Sequence, residues 1–406
     1  MSEKITVPSK STVTLDIVNG DLRVGRNSTI KGTGTPPKLK VLGSIYCEGN
    51  NTFECDLSAE NLEAEEDVTI HGDLEIENSV EVEDGRLKVF GKMTAKRMDI
   101  DKALQVSKDL IAEKINVGGS LNVEGALKAE DIDVGGSLRA KGEVEAANID
   151  VGGSLLIESK SNIKTLEVGG TAKVNGGKID EINVGGSFES DDQLEFEEID
   201  VGGIVRLSNK NKGRKIDVGG SLEVKGDLNF ENINVGGKVE LTGSGEGVEI
   251  DVGGKLEVGK SLKLSGELEV GGIVEIGEEI SAESIEVGGS LSAKKVTVEN
   301  HVEVGGSIKT MEGVTARSVE IGHRGKVQGP IRAERVVVNK GANVEDVFGK
   351  QIIMRRGASA RNVYGENIVI ESHCRIDGEV RYSRELRIEE DVSLGKAPQK
   401  VEKLPF

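Results

Sequence analysis

The segment Ile115-Asn116-Val117-Gly118-Gly119-Ser120-Leu121-Asn122-Val123-Glu124-Gly125-Ala126-Leu127-Lys128-Ala129-Glu130-Asp131 is followed at once by Ile132-Asp133-Val134-Gly135-Gly136-Ser137-Leu138, which begins the same phrase again. Val-Gly-Gly starts at Val117, Val134, Val151, Val168, Val184, Val201, Val218, Val235, Val252, Val270, Val287 and Val304, at spacings of 16 to 18 residues. A decayed copy, Ile321-Gly322-His323, follows 17 residues after the last. So short and steady a period is the mark of a solenoid.

Within one period the apolar residues alternate with polar ones: Ile115/Val117, Leu121/Val123 and Leu127/Ala129, before Ile132 opens the next copy. Alternation sends both apolar side chains of a triplet to one side of a short strand. Three such triplets per repeat, with no helical periodicity, predict an all-β fold: a single-stranded parallel β-helix, or triangular β-solenoid, of about 17 residues per coil. The Gly-Gly pair falls at one corner of each coil. It is read there as supplying positive φ and, lacking a side chain, as letting corners stack closely. A lone coil buries too little to offset the entropy of ordering it, so the coils are expected to be stable only when stacked.

The same grammar reaches outward. Upstream stand Leu62/Ala64, Val80/Val82, Met98/Ile100 and Leu110/Ala112; further back, Leu15/Ile17, Leu22/Val24, Leu39/Val41 and Ile45/Cys47 fit with longer corners. Downstream, Val336/Val338, Ile352/Met354, Ile368/Ile370 and Leu386/Ile388 recur. The expected solenoid runs from Ile5 to Leu394 as about 23 coils, a rod of about 110 Å at roughly 4.8 Å per stacked strand. Its parts are irregular coils over 1–61, the regular repeat over 62–316, a third set of coils over 317–394 and a Pro-containing tail over 395–406. The tail reads as too short and Pro-broken for another coil. As an alternative to an open end, it would fold across the last coil as a partial lid, anchored by Leu404 or Phe406.

Composition narrows the class. The 406 residues include no Trp, 3 Tyr and 7 Phe, too few large rings for an ordinary enzyme core of this length, and 55 Gly. Net charge is −19, which argues against nucleic acid as a partner. From Arg317 onward 17 Lys/Arg face 13 Asp/Glu, a net of +4, whereas the preceding residues hold 35 against 58, a net of −23. Three Cys fit a reducing compartment, no apolar run is long enough to span a membrane, and Met1–Ile5 lacks the features of a signal peptide, so the expectation is a cytoplasmic protein.

Chemistry-bearing residues are sparse. His71, His301, His323 and His373 read as surface or corner residues, and Cys47, Cys55 and Cys374 as buried thiols without zinc-site spacing to a histidine. Gly243-Ser244-Gly245-Glu246-Gly247 reads as a longer corner rather than a phosphate loop, because no helix or Lys follows it. No catalytic, metal or cofactor residue emerges, and the chain is not expected to be an enzyme. One polar feature is regular. The outward residue before each Gly-Gly is Asp133, Asp150, Glu167, Asp200, Asp217, Asp251, Glu269, Glu286, Glu303 and Glu320, with Asn116, Asn183 and Asn234 completing the column. This is read as a solvated acidic face, partly compensated by Arg139, Lys173 and Arg206; collection of cations or a basic partner is the alternative. A second column, running from Ser120 and Ser137 to Ser307, is read as a hydroxyl ladder.

Val327-Gln328-Gly329-Pro330-Ile331-Arg332-Ala333 leads through Val336-Val337-Val338 to Gly341-Ala342-Asn343-Val344, and Arg356-Gly357-Ala358-Ser359-Ala360 repeats the second half. This resembles the repeat of the bactofilins, over about residues 300–394; the other coils share only the architecture. The resemblance implies a right-handed helix and a cytoskeletal scaffold whose coils join end to end into nucleotide-independent, apolar filaments. This chain departs from that family in having several times more coils, no long Pro-rich tail and no short apolar N-terminal membrane-binding segment, so membrane association is not indicated. The expected partner is the chain itself, through terminal coils carrying Ile5, Val7, Val13, Leu15, Ile17, Leu386, Ile388, Val392, Leu394 and Phe406, with unidentified protein clients. The charge split favours head-to-tail order, while the resemblance implies that like ends meet. Two other functions stay open: a non-polymerising scaffold presenting a long acidic face, and, with least support, a hexapeptide-type acyltransferase.

Overall fold

The computed structural model describes residues 3–405, built from strands and corners with no helix among them. The chain falls into two compact units, Met1–Gly202 and Gly203–Phe406, each a β-solenoid. Together they hold about 23 turns of about 17 residues. Among the described residues no helix is long and apolar enough to cross a membrane.

In Met1–Gly202 three ladders of parallel strands climb side by side. The first sets Ile5 opposite Leu22 and, higher up, Ile115 opposite Ile132 and Ile132 opposite Ile149. The second carries Val13 to Ile30 and Leu121 to Leu138; the third carries Leu110 to Leu127 and Leu127 to Val144. A residue and its partner one coil on point the same way, so apolar stacks on apolar and the core becomes a column of Val, Ile and Leu. Gly203–Phe406 repeats the arrangement, with Ile216 opposite Ile233, Leu222 opposite Val239 and Val274 opposite Leu291. Beyond Val304 its Gly-Gly corners give way to corners built on a residue of positive φ: Arg324, Gly341, Gly357, His373 and Asp391. Lys10, Asn27 and Asn50 do the same in the first coils of Met1–Gly202.

The reason for Gly-Gly differs from the one expected. Among the described residues no glycine of a Val-Gly-Gly phrase has positive φ. Instead, a Cβ at Gly135 would stand 2.4 Å from the Gly118 carbonyl oxygen, one at Gly152 2.4 Å from that of Gly135, and one at Gly253 2.5 Å from that of Gly236. The N–H groups of Gly136 and Gly153 donate to the carbonyls of Gly119 and Gly136 at 2.9 Å. Hydrogen bonding carries the ladder round the corner and draws the coils too close for a methyl group. The missing side chain is what matters here.

Three further expectations are corrected. Gly245–Gly247 is a strand, not a corner: Gly245 lies opposite Leu228 and Leu262, in a core slot. The cause is Phe230 in the coil below, whose ring would lie 2.2–2.6 Å from a Cβ on Gly247 and so takes up the room a side chain there would need. Ile17 is 57% exposed, and Val18, 0% exposed, is the inward residue, because the corner between Thr12–Thr14 and Ile17–Val18 is one residue short and shifts the phase. The tail makes a strand: Gln399 and Lys400 pair with Arg381 and Tyr382, supplying the third side of the last coil.

These contacts predict that Gly152→Ala, which forces backbone apart, lowers stability by about 1–3 kcal/mol, in the range of other overpacking changes. Gly357→Ala has nothing within 4 Å of the new methyl and bears only the left-handed φ of +71°, about 1–2 kcal/mol. Ser154→Ala, in an exposed column, should be near neutral. Urea denaturation of the three variants checks the order.

Candidate functional site

Among the described residues the first and last coils each pair with a neighbour on one side only. The first consists of Glu3–Val7, Thr12–Thr14 and Ile17–Val18. The last consists of residues 385–388 of the strand Val380–Ile388, then Ser393–Leu394 and Gln399–Lys400. One coil inward the apolar positions are sealed: Leu22, Ile30 and Ile370 are 0% exposed and Ile368 and Ile376 are 1% exposed. On the first coil Val7 and Val18 reach that state, but Ile5, Val13 and Leu15 are half-buried. On the last coil Leu386, Val392 and Leu394 are half-buried and Ile388 is 36% exposed. The side chains keep the inward phase of the ladder, and among the described residues no coil covers them. Leu404 is half-buried, and Phe406 lies outside the described residues.

The acidic column is a true ladder. In Met1–Gly202, Asp133 lies opposite Asp150 and Asp150 opposite Glu167, while Asn183 separates Glu167 from Asp200. In Gly203–Phe406, Asn234 separates Asp217 from Asp251, after which Asp251, Glu269, Glu286, Glu303 and Glu320 follow without a break. Asp217 and Glu320 are half-buried and the other acids of the column exposed. The expected compensation is absent: Arg139 pairs with Glu158, Lys173 with Glu189 and Asp191, and Arg206 with Glu223. Relief comes instead from Asn116, whose Nδ2 donates to Asp99 Oδ1 at 3.0 Å, from Lys215 beside Asp217 at 2.6 Å, and from Asn339, which donates to Glu320 at 2.9 Å.

The column also extends further than the Gly-Gly phrase indicates, since Glu63, Glu81 and Asp99 occupy the same register upstream. The alternation of Leu62/Ala64, Val80/Val82 and Met98/Ile100 already holds that signal. Partial burial, with repulsion from Glu81 and Glu83, holds the Glu63 carboxyl above the usual carboxylate range. The Ser column is different again. Among the described residues its hydroxyls make no hydrogen bond with one another, and the backbone does the bonding, as where Ser137 N–H donates to the Gly119 carbonyl at 3.1 Å.

The remaining candidates are dispersed. His71 stacks on Phe90 at 4.8 Å; His301 Nε2 lies 3.6 Å from Glu303; His323 Nδ1 meets the Lys340 carbonyl at 3.2 Å; and His373 holds a corner. The three thiols are free and buried, and burial pushes Cys47 up to about 12 and Cys55 to about 11. A feature not anticipated from the sequence is a surface stack in Gly203–Phe406. Arg332 lies 5.0 Å over Phe348, Phe348 stacks on Tyr364 at 5.1 Å, and Arg381 closes the row 6.0 Å from Tyr364. Each member occupies the same ladder position in successive coils, so the 4.8 Å repeat itself makes the stack. No family model, curated protein or solved structure matches the chain.

A raised acid pKa means that the folded state binds the proton more tightly than the unfolded one, so stability rises as pH falls through it. Glu63→Gln should therefore raise the thermal midpoint slightly at pH 7, and the gain should vanish toward pH 4. Melts of both proteins across that range read the difference.

Proposed function

We propose that the chain is a non-enzymatic structural protein of the cytoplasm, a scaffold of bactofilin type that assembles end to end into filaments without nucleotide. The observation that carries this reading is the contrast between terminal and internal coils. Ile388 is 36% exposed where Ile370, one coil below, is 0% exposed. Both terminal coils also carry strand edges with no partner among the described residues, and such edges recruit further strands. The bactofilin-like phrases at Val327–Val344 and Arg356–Ala360 support it, as does the dispersal of the four histidines on separate surface and corner positions. Three buried free thiols suit a reducing compartment.

Electron microscopy of the purified protein without nucleotide should show filaments. Val392→Lys with Leu394→Lys places two ammonium groups in the joint. It should abolish assembly while the circular dichroism of the strands is unchanged. A wild type that stays monomeric at high concentration would overturn the proposal.

A second reading, a binding scaffold that collects cations or a basic partner, is favoured by the unbroken run Asp251, Glu269, Glu286, Glu303 and Glu320. It requires millimolar magnesium or calcium to raise the thermal midpoint; a solvated face leaves the midpoint unchanged.

A further inference from the structure

Corners built on a residue of positive φ occur in both terminal coils, at Lys10 and at Asp391, each with φ of 58°. Each stands three residues beyond the last inward residue of the preceding strand, Val7 or Ile388, and three before Val13 or Leu394 in the next strand. The two end corners thus share length and backbone conformation. In the Gly-Gly corners of the middle coils the residue at that place, such as Ser120 after Val117, has no positive φ.

Five of the positive-φ corners also share a directional hydrogen bond, which Asn50 and His373 do not make among the described residues. The N–H of the positive-φ residue donates to the carbonyl just before the equivalent residue of the next coil. Lys10 donates to Arg26 at 2.8 Å, Asn27 to Gly49 at 3.0 Å, Arg324 to Lys340 at 3.1 Å, Gly341 to Arg356 at 3.2 Å and Gly357 to Ser372 at 3.1 Å. Among the described residues no further coil stands beyond Asp391 to accept its N–H, and no coil precedes Ser9 to donate to its carbonyl. One end lacks the acceptor that the other end exposes.

Charge agrees with this. The first strand and corner of the first coil hold Glu3, Lys4 and Lys10, whereas the matching stretch of the last coil holds Arg384, Glu385, Arg387, Glu389, Glu390 and Asp391. The complementarity is local rather than one of whole coils: the first coil, with Glu3, Lys4, Lys10 and Asp16, carries no net charge, but its two lysines hold the positions that Glu385 and Asp391 hold in the last coil.

We infer that the occupant of each open end is the opposite end of a second copy, joined head to tail. This rests on the end-to-end reading above and adds its polarity. Continuing the ladder places Leu386 over Ile5 and Ile388 over Val7 of the next copy, in the register that Ile368 and Ile370 keep with Leu386 and Ile388. Glu385 then stands beside Lys4 and Asp391 over Lys10, with the Asp391 N–H donating to the Ser9 carbonyl. Leu394 covers Val13. Two first coils brought together would instead set Lys10 near Lys10 and run their strands antiparallel, which leaves both corner carbonyls without a donor.

Two blocked variants of the full chain decide the polarity by sedimentation velocity. Ile5→Lys with Val13→Lys closes the first coil, and Val392→Lys with Leu394→Lys closes the last. Head-to-tail joining predicts that each variant alone is monomeric and that their equimolar mixture is a dimer that grows no further. If either variant alone forms a stable dimer while the wild type polymerises, like ends meet and the inference fails, though the end-to-end reading survives. If the wild type does not polymerise, both fall. Because Lys10 and Asp391 are exposed, a second measurement avoids any change to the core. A Lys10→Cys, Asp391→Cys double variant should give a ladder of disulfide-linked multimers on mild oxidation, whereas neither single variant should cross-link to itself. A ladder that stops at the dimer, or a cross-link from Lys10→Cys alone, overturns the polarity.

Discussion

No coil of this protein can bury its own apolar side chains. Six inward residues on a flat triangle cover one another only at their tips, and their upper and lower surfaces are closed by the coils on either side. Everything else depends on the distance between coils, which the backbone hydrogen bonds of parallel strands set near 4.8 Å. That spacing selects branched aliphatic residues for the interior, since they stack at it without leaving the plane of their coil. It also explains why Phe230 needs glycines above it: a ring is too large for one layer and takes volume from the next.

The same spacing governs the surface, where it is less kind. Any outward residue stands beside the residue one coil away, so a repeat that spells Asp or Glu at one position stacks like charges into a column. Two remedies are visible. Asn interrupts the column and donates to the carboxylate beside it, as Asn116 does to Asp99, and on neighbouring faces Lys and Arg alternate with Glu across coils, as Lys128 does with Glu145 at 2.8 Å. Exposed pairs of this kind contribute little singly. Their role is to make each face electrostatically tolerable at a separation that the core dictates. The Arg332–Phe348–Tyr364–Arg381 row is the aromatic version of the same bargain.

Period, strand phase and core were legible in the sequence because they rest on alternation and repetition, which a ladder preserves from coil to coil. What escaped were the points where one coil departs from its neighbours. Gly245 and Gly247 look like a corner when read along the chain and like core when read up the ladder, where Phe230 explains them. Ile17 has the apolarity of a core residue, but a corner one residue shorter hands the inward position to Val18. The tail looked too broken by Pro398 to build anything, yet a two-residue strand needs only one free edge, and Val380–Ile388 offers it. The Gly-Gly corner was placed correctly for a partly mistaken reason: a close approach between coils is invisible in one coil's sequence. The apolar residues of the first and last described coils, Ile5 and Leu386 among them, follow from the alternation, whereas the φ of 58° shared by Lys10 and Asp391 leaves no sign in it.

The strict register between coils has a consequence for descent. Because Ile115 meets Ile132 in the way Ile132 meets Ile149, one regular coil's surface is a fair copy of the next, and a duplicated or deleted segment of one full period there preserves the ladder and its apolar stacking. Gene rearrangements that shift most folds into ruin would here add or remove a single layer. Length in this architecture is therefore a heritable quantity that can drift in unit steps, and natural selection can adjust the reach of the molecule without redesigning any part of it.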